Sequence, residues 1–189
     1  MRKRALTGVF CLEGAWKRRL DDRASVLPTL EMLERLRIAT YIHRDVGIRA
    51  ELDLYLEKWG QLGYSHYEVL YFAFHGIPGA IEVGSETVTL AELAEKLDGK
   101  AEGRVVYFGC CLVMKDKDAV AEFKNTTGAK AVCGYTKKVD WLESAAFDLL
   151  LLDSLMEDDR IDARFNRMTR NFPDLTKRLG FVTHPSYAR

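Results

Sequence analysis

The sequence predicts an α/β sandwich, in which a largely parallel central sheet carries helices on both of its faces. Segments typical of strands and of helices alternate along most of the chain, which is the pattern of parallel strands joined by helical crossovers. Two of the strand segments, EVLYFAF (68–74) and RVVYF (104–108), are apolar at nearly every position, as central strands covered on both faces are. The 189 residues contain no repeat, low-complexity tract or linker, so we expect a single domain over residues 1–189.

The first half of the chain supplies three strands and two helices. Ser25 as an N-cap and Pro28 in the first turn predict where the first helix begins. The second helix carries Leu52, Leu56 and Trp59 at the spacing of one helical face. The predicted strands are 5–12, 39–43 and 68–74, and the predicted helices are 25–38 and 48–62.

The second half of the chain continues the alternation. Gly84 separates two short strand segments, which predicts a small hairpin, and Thr89 is the expected cap of the helix that follows. Pro173 is expected to break the last helical segment. The predicted strands are 80–83, 86–88, 104–108 and 130–135, and the predicted helices are 90–97, 116–126, 141–156 and 161–179.

Composition and charge narrow the class of partner. Hydrophobic residues make up 48% of the chain and charged residues 30%, and 28 basic residues balance 28 acidic ones. Because this balance provides no excess of positive charge, we expect neither a nucleic acid nor a membrane as a partner. The longest apolar run, within 145–156, is interrupted by Asp148 and Asp153, so it predicts a buried or amphipathic helix and not a membrane span.

The cysteines predict neither a metal site nor disulfides. They are Cys11, Cys110, Cys111 and Cys133, and no pair has the CxxC spacing typical of zinc ligands. We therefore expect no metal and no cofactor. The basic start MRKR is not followed by an export signal, which predicts reduced thiols and a cytoplasmic location.

Candidate catalytic side chains follow directly on two buried strands. His75 comes after 68–74, and Cys110 and Cys111 come after 104–108 and Gly109. Because ligands bind beyond the carboxyl ends of parallel strands, neighbouring strands would bring His75 and one cysteine to the same edge of the sheet. A thiol is a strong nucleophile, an imidazole exchanges protons near neutral pH, and backbone N–H groups beside glycines stabilise an oxyanion. The alternative is that His75 is a structural histidine at a strand end and that the cysteines are small buried residues.

Taken in order, these segments resemble the caspase-like cysteine peptidases, and in particular the CHAT subgroup. A buried strand is followed by His-Gly in YFAFHG, and a hairpin and a short helix come next in AIEVGSETVTLAELAEKL. The next buried strand, in RVVYFGCC, is followed by the cysteines. The strand segment TTGAKAVCGYT and the long helix SAAFDLLLLDSL complete the pattern, which spans residues 67–156. The resemblance implies a three-layer caspase-like sandwich and a cysteine endopeptidase that cleaves a protein partner. It also suggests an effector in a bacterial signalling or defence pathway, which an activating protein encoded elsewhere switches on.

The resemblance also implies roles for particular residues. His75 matches the family's catalytic histidine, and the backbone amide of Gly76 matches a donor to the oxyanion. The caspase-type spacing favours Cys111 as the nucleophile, with Cys110 as the alternative. Only one of two consecutive side chains should face His75, because they point in opposite directions in extended chain. Asp140 lies in a loop that borders the cleft in such peptidases, where it would select a basic substrate side chain; the alternative is an N-cap of the next helix.

Two classes of function remain open. The first is the cysteine peptidase, and the second is a non-catalytic CHAT-like module that keeps the fold and binds a protein partner. A flavodoxin-like or receiver-like domain is disfavoured, because CLEGAWKRR offers no phosphate-binding loop and the early strand ends show no clear acidic cluster. A dead peptidase would usually have lost its histidine or its cysteine, and both are present, which favours the enzyme.

Overall fold

The computed structural model describes residues 7–17, 19–157 and 160–187. The strands are β1 (Gly8–Glu13), β2 (Thr40–Asp45), β3 (Val69–Ala73), β4 (His75–Ile77), β5 (Ala80–Val83), β6 (Glu86–Thr89), β7 (Val105–Phe108), β8 (Ala131–Tyr135) and β9 (Phe181–His184). The helices are α1 (Leu27–Arg35), α2 (Arg49–Trp59), α3 (Leu90–Lys96), α4 (Lys117–Thr127), α5 (Trp141–Met156), α6 (Ile161–Asn171) and α7 (Pro173–Leu179).

The central sheet has six strands in the order β2-β1-β3-β7-β8-β9. All neighbouring pairs are parallel except β8 and β9, which are antiparallel. Helices α2, α3 and α4 pack on one face of this sheet, and α1, α5, α6 and α7 pack on the other. Strands β4, β5 and β6 form a separate small antiparallel sheet. The predicted fold class is therefore confirmed.

The two faces of the sheet follow from the alternation of side chains along each strand. In β3, Leu70 and Phe72 face the α2–α4 layer, whereas Tyr71 faces the α1 and α5–α7 layer. Strand β7 repeats this pattern, so the ring of Phe72 stacks on Phe108 with centroids 5.0 Å apart, and Tyr71 stacks on Tyr107 at 4.9 Å. Because both faces are covered, apolar side chains are needed at every position of these strands. No helix in the described residues is both long and apolar enough to cross a membrane.

The structure differs from the sequence predictions at short elements. His75 opens β4, a short strand that was not predicted, and pairs there with Glu82 of β5. Strand β9 was not predicted, because its four residues carry no pattern long enough to distinguish a strand from a loop. Helix α1 begins at Leu27, after Ser25, whose hydroxyl accepts from the Leu27 N–H at 3.0 Å. The first two residues of the predicted strand 5–12 lie outside the described residues. Strand β1 ends at Glu13, one residue beyond the predicted end.

The order of the strands positions a crevice next to β1. The chain passes from β1 to β2 on one side and then returns to β3 on the other side, so the crossovers α1 and α2 lie on opposite faces. The helix that follows β1, α1, and the helix that follows β3, α3, therefore also lie on opposite faces of the sheet. Open α/β sheets bind their ligands at such a reversal of strand order.

Removing the ring of Phe108 should destabilise the whole domain. This side chain is fully buried and stacks on Phe72 between the two central strands. We expect Phe108→Ala to lower the free energy of unfolding by about 3–5 kcal/mol, because a large cavity replaces the ring. Urea denaturation followed by circular dichroism measures this. Leu62→Ala is the control, since Leu62 is 92% exposed, and an equal loss in both variants would contradict the assignment of the core.

Candidate active site

The segments that follow four parallel strands of the central sheet enclose one cavity of about 150 Å³. Each segment contributes a lining residue: Trp16 after β1, His75 after β3, Cys111 after β7 and Val139 after β8. The cavity lies at the carboxyl edge of the sheet, beside the reversal of strand order. The structure thus brings a thiol and an imidazole together at the edge where the sequence predicted them.

His75 is held by a backbone carbonyl. Its Nε2 lies 2.7 Å from the carbonyl oxygen of Trp16, and its ring makes an edge contact with the indole of Trp16 at 5.4 Å between centroids. A carbonyl oxygen only accepts hydrogen bonds, so Nε2 must carry the proton. In the neutral ring, Nδ1 then has the free lone pair. This tautomer leaves Nδ1 as the nitrogen that can accept a proton from a neighbouring group.

Cys111 sits in a turn that is tied to two neighbouring segments. The Gly109 N–H donates to the Phe72 carbonyl at 2.9 Å and so continues the pairing of β3 with β7. The Cys111 side chain is partly exposed, and its Sγ accepts from the Val139 N–H at 3.4 Å. The next residue, Leu112, has a φ of 64°, which is rare for a residue with a side chain, and its N–H donates to the Lys137 carbonyl at 3.1 Å. Strained backbone of this kind clusters at functional sites.

The two adjacent cysteines have different environments. Cys110 is fully buried, and its thiol donates to the Phe72 carbonyl at 3.2 Å. Burial raises the pKa of Cys110 far above its ordinary value, because a thiolate there would lose its solvation. Cys111, in contrast, lines the cavity together with His75. The geometry therefore favours Cys111 over Cys110 as the reactive thiol.

Gly76 brings the backbone after His75 into contact with the cysteine turn. A Cβ added at Gly76 would fall 2.5 Å from the Cys111 carbonyl oxygen and 2.9 Å from the Cys110 Cβ, so a side chain has no room there. Within the described parts of the chain, the N–H of Cys111 donates to no carbonyl or side chain. Glycine at position 76 is needed for this close approach to the cysteine turn.

Asp140 lies beside the cavity and caps α5. Its carboxylate accepts from the N–H groups of Leu142 at 2.9 Å and of Glu143 at 3.1 Å. The residues on either side of it, Val139 and Trp141, line the cavity, and Trp141 makes an edge contact with Trp16 at 4.6 Å between ring centroids. The N-cap alternative for Asp140 is therefore present in the structure, and its role in substrate binding stays a prediction.

A buried carboxylate that sequence reasoning missed, Asp148, lies in the wall of the cavity. It is 3% exposed and accepts from three tyrosine hydroxyls: Tyr71 at 2.6 Å, Tyr135 at 2.8 Å, and Tyr107. Burial raises the pKa of Asp148 to about 6, and the three hydroxyl donors oppose this rise. The Tyr71 ring also closes on the cysteine turn, because a Cβ added at Gly109 would fall 2.5 Å from it. The available signal was that Asp148 is one of two aspartates that interrupt the long apolar run of α5.

A second buried carboxylate, Glu13, ends β1 and is 2% exposed. One oxygen accepts from the Trp16 indole N–H at 2.5 Å and from the Val26 N–H at 2.8 Å, and the other accepts from Ser25 and from His43 Nε2, both at 2.6 Å. Burial alone would raise the pKa of Glu13, but the donors led by His43 hold it below its ordinary value.

Glu13 also belongs to a group of side chains that could in principle bind a metal ion. Glu13, His43 and Asp45 place possible ligand atoms within 4.8 Å of one another. The expectation that the early strand ends carry no acidic cluster is thus wrong, because Glu13 and Asp45 end β1 and β2. Both oxygens of Glu13 already accept two hydrogen bonds each, so the group is explained as a hydrogen-bonded cluster.

A larger cavity of about 530 Å³ lies elsewhere, between α4, α6 and strand β9 at the edge of the sheet. It is lined mainly by apolar and hydroxyl side chains, with Lys117, Asp118 and His184 at its border, and none of its lining residues is a cysteine. We place the candidate active site in the smaller cavity, because that one combines a thiol, an imidazole and a glycine-flanked turn.

Comparison with known proteins then identifies the family. The model of a family of unknown function, DUF6642, matches residues 7–184. The chain belongs to this family. No curated protein matches it in sequence.

The fold has a counterpart among solved structures. It is similar to the X-ray structure of a secreted C11 cysteine protease from Bacteroides thetaiotaomicron in complex with an irreversible peptide inhibitor, with a TM-score of 0.57 and 10% identity. The match covers 92% of this chain and 60% of that one, so the chain spans less than two thirds of the protease's length. At this identity the likeness shows the fold alone, and the fold is caspase-like as the resemblance implied. Membership of the CHAT subgroup stays a prediction.

Differences in exposure predict that Cys111 reacts first with a soluble alkylating agent. Cys11, Cys110 and Cys133 are completely buried, and burial also raises the pKa of each of their thiols. We expect iodoacetamide to label Cys111 well before the other three in the folded protein, and all four after unfolding, as read by mass spectrometry of peptides. Preferential labelling of Cys110 would mean that the cavity-facing sulfur is misassigned.

Asp148 should impose a pH dependence on stability. Its pKa rises from 3.8 to about 6 on folding, so the folded state retains a proton that the unfolded state releases between these values. Its contribution to stability therefore falls as pH rises through that window. We therefore compare the unfolding free energies of Asp148→Asn and the native protein at each pH. The difference between them should shift in favour of Asp148→Asn by about 2 kcal/mol as the pH rises from about 4 to about 7.

Urea denaturation at a series of pH values measures this difference, and a difference independent of pH would contradict the burial of an ionisable Asp148. Asp53→Asn is a control of opposite sign. Despite the opposing effect of partial burial, ion pairs with Lys96 and Arg49 lower the pKa of Asp53, so its stabilising contribution grows as pH rises.

Proposed function

We propose that the protein is a cysteine endopeptidase in which Cys111 is the nucleophile and His75 is the general base. The observation that carries the proposal is the common cavity of these two side chains at the carboxyl edge of a caspase-like sheet. The fixed tautomer of His75 supports it, because the nitrogen that remains free is the one that can take a proton. The burial of Cys110 and the exposure of Cys111 support the choice of nucleophile.

The reaction follows from these groups. Nδ1 of His75 takes the thiol proton as Sγ of Cys111 attacks the carbonyl carbon of the scissile peptide bond, and the carbonyl oxygen becomes an oxyanion. The backbone N–H groups of Gly76 and Cys111 donate to that oxyanion. The imidazolium then gives its proton to the leaving amine as the C–N bond breaks, which leaves an acyl-thioester.

A water molecule completes the cycle. His75 Nδ1 takes a proton from the water as its oxygen attacks the thioester carbonyl, and the C–S bond breaks to release a carboxylic acid. The proton on the imidazole returns to the departing thiolate, so both catalytic groups end in their starting states. No step requires a metal or an organic cofactor.

The proposed substrate is a protein partner, cleaved in the cytoplasm as part of a bacterial signalling or defence pathway. This follows from the resemblance to CHAT-type peptidases, as does an activating protein encoded elsewhere. Asp140, at the border of the cavity, is the proposed selector of a basic side chain. Both hydrogen bonds of the helix cap go to its Oδ1, so Oδ2 is the atom that would bind the substrate. Nucleic acids and membranes are not proposed as partners, because the formal net charge is zero.

Cleavage of a proteome-derived peptide library, read by mass spectrometry, tests the proposal. We expect Cys111→Ala and His75→Ala each to lower cleavage by at least about 100-fold, since a general base alone contributes 10²–10⁴. Cys110→Ala is the matched control and should cleave within about 3-fold of the native rate, because its side chain faces the core.

Equal loss in all three variants, with intact folds, would overturn Cys111 as the nucleophile. If the native protein cleaves nothing, even with a cell extract that could supply an activator, the proposal fails. The non-catalytic interaction module then becomes the better description.

A further inference from the structure

The catalytic histidine depends on a segment that has no regular structure of its own. Residues 14–17 and 19–26 form neither helix nor strand, yet the carbonyl that holds His75 belongs to Trp16 in this segment. A carbonyl in such a loop is an effective acceptor only if something fixes its orientation. Backbone contacts fix the start of the segment, since the Gly14 N–H donates to the Ala73 carbonyl at 2.9 Å.

The side chain of Trp16 is fixed by Glu13. The indole N–H is the only polar group of that side chain, and it donates to the Glu13 carboxylate at 2.5 Å. Ring contacts with His75 and Trp141 hold the apolar part of the indole. The orientation of the Trp16 carbonyl is therefore set from two sides: the backbone at Gly14 and the indole at Glu13.

Glu13 is itself rigidly held by elements of the core. His43 of β2 donates to it, and so do the Ser25 hydroxyl and the Val26 N–H at the start of α1. The Glu13 main chain also accepts from the Val46 N–H at 2.8 Å. A buried carboxylate with four donors has little freedom to move, because breaking any of these bonds leaves a polar group unsatisfied.

We propose that Glu13 is a positioning residue for His75, acting through the Trp16 indole to keep the Trp16 carbonyl on His75 Nε2 and so keep Nδ1 free as the base. This inference rests on the proposed peptidase function of the His75–Cys111 pair. Glu13 touches neither the substrate nor His75 and acts only through Trp16. The carboxylate is needed because both of its oxygens accept hydrogen bonds, whereas the side-chain amide of glutamine has only one acceptor oxygen.

The test is Glu13→Gln in the whole chain, with two readouts. The first is proton NMR of the imidazole N–H groups, in which we expect the hydrogen-bonded Nε2–H of His75 to give a signal, assigned by its absence in His75→Ala. We expect this signal to be lost in Glu13→Gln through exchange with water. The second is cleavage of the best library peptide, where we expect kcat to fall at least about 10-fold with KM within about 3-fold, as for a group that acts on the chemical step.

Three further variants sharpen the test. Trp16→Phe keeps the backbone carbonyl and an aromatic ring but removes the indole N–H, so it should reproduce the loss of the signal. The double variant Glu13→Gln with Trp16→Phe should be no worse than Glu13→Gln alone, because both act on one contact. Glu92→Gln is the matched control: this carboxylate also accepts several hydrogen bonds but lies on α3, away from the cavity, and both readouts should stay unchanged.

The outcomes separate this inference from the proposed function. A retained His75 signal and an unchanged kcat in folded Glu13→Gln would overturn the positioning role while leaving the peptidase intact. Loss of the signal in a protein that never cleaves would support the positioning role and remove the peptidase function. Should Glu13→Gln fail to fold, as judged by circular dichroism, Trp16→Phe decides, and a retained signal there overturns the inference.

Discussion

The pairing of β3 with β7 is the constraint on which the candidate site depends. His75 and Cys111 are not close in the chain, and they line one cavity because their strands are parallel neighbours whose carboxyl ends lie at one edge. The register places Tyr71 opposite Tyr107 and Phe72 opposite Phe108, and the stacked rings of these pairs fix it from both faces of the sheet. A slip of one residue would turn every side chain to the other face, so the buried rings make the wrong register very costly. Core packing therefore sets the relative position of the two proposed catalytic groups.

Two buried carboxylates flank this edge, and their environments push their pKa values in opposite directions. For Asp148, burial outweighs three neutral hydroxyl donors, and its pKa rises to about 6. For Glu13, burial is outweighed by donors that include His43 and a backbone N–H, and its pKa falls. The difference matches their positions: Asp148 packs under the cysteine turn through Tyr71, whereas Glu13 holds the segment of Trp16. Each carboxylate thus contacts one of the two segments that carry the proposed catalytic groups: Asp148 through Tyr71, and Glu13 through Trp16.

The sequence predicted the architecture well, because central strands and long helices carry strong patterns. Helix α5 was placed at Trp141–Met156 from its cap and its apolar run, and the residues of β3 and β7 could hardly form anything but buried strands. The short strands β4 and β9 were missed, since three or four residues leave no period to recognise. His75 and Cys111 could be proposed from the sequence, because reactive side chains at strand ends are a local signal. Glu13 and Trp16 could not, because they are brought together by contacts between β1, β2 and the start of α1, which no spacing along the chain reveals.

The size of the cavity bears on what the site can accept. At about 150 Å³ it is smaller than the pockets of 300–1,000 Å³ that enclose whole small molecules. It has room for about one side chain, and the rings of Trp16 and Trp141 stand at its border, the latter 41% exposed. An enzyme for a small metabolite would need to bury most of its ligand, and this cavity offers no such space. A peptidase needs to bury only the side chain beside the scissile bond, while the rest of an extended substrate lies across the surface. The geometry is therefore better suited to the proposed polypeptide substrate than to a small molecule, and His75 is exposed beside the cavity.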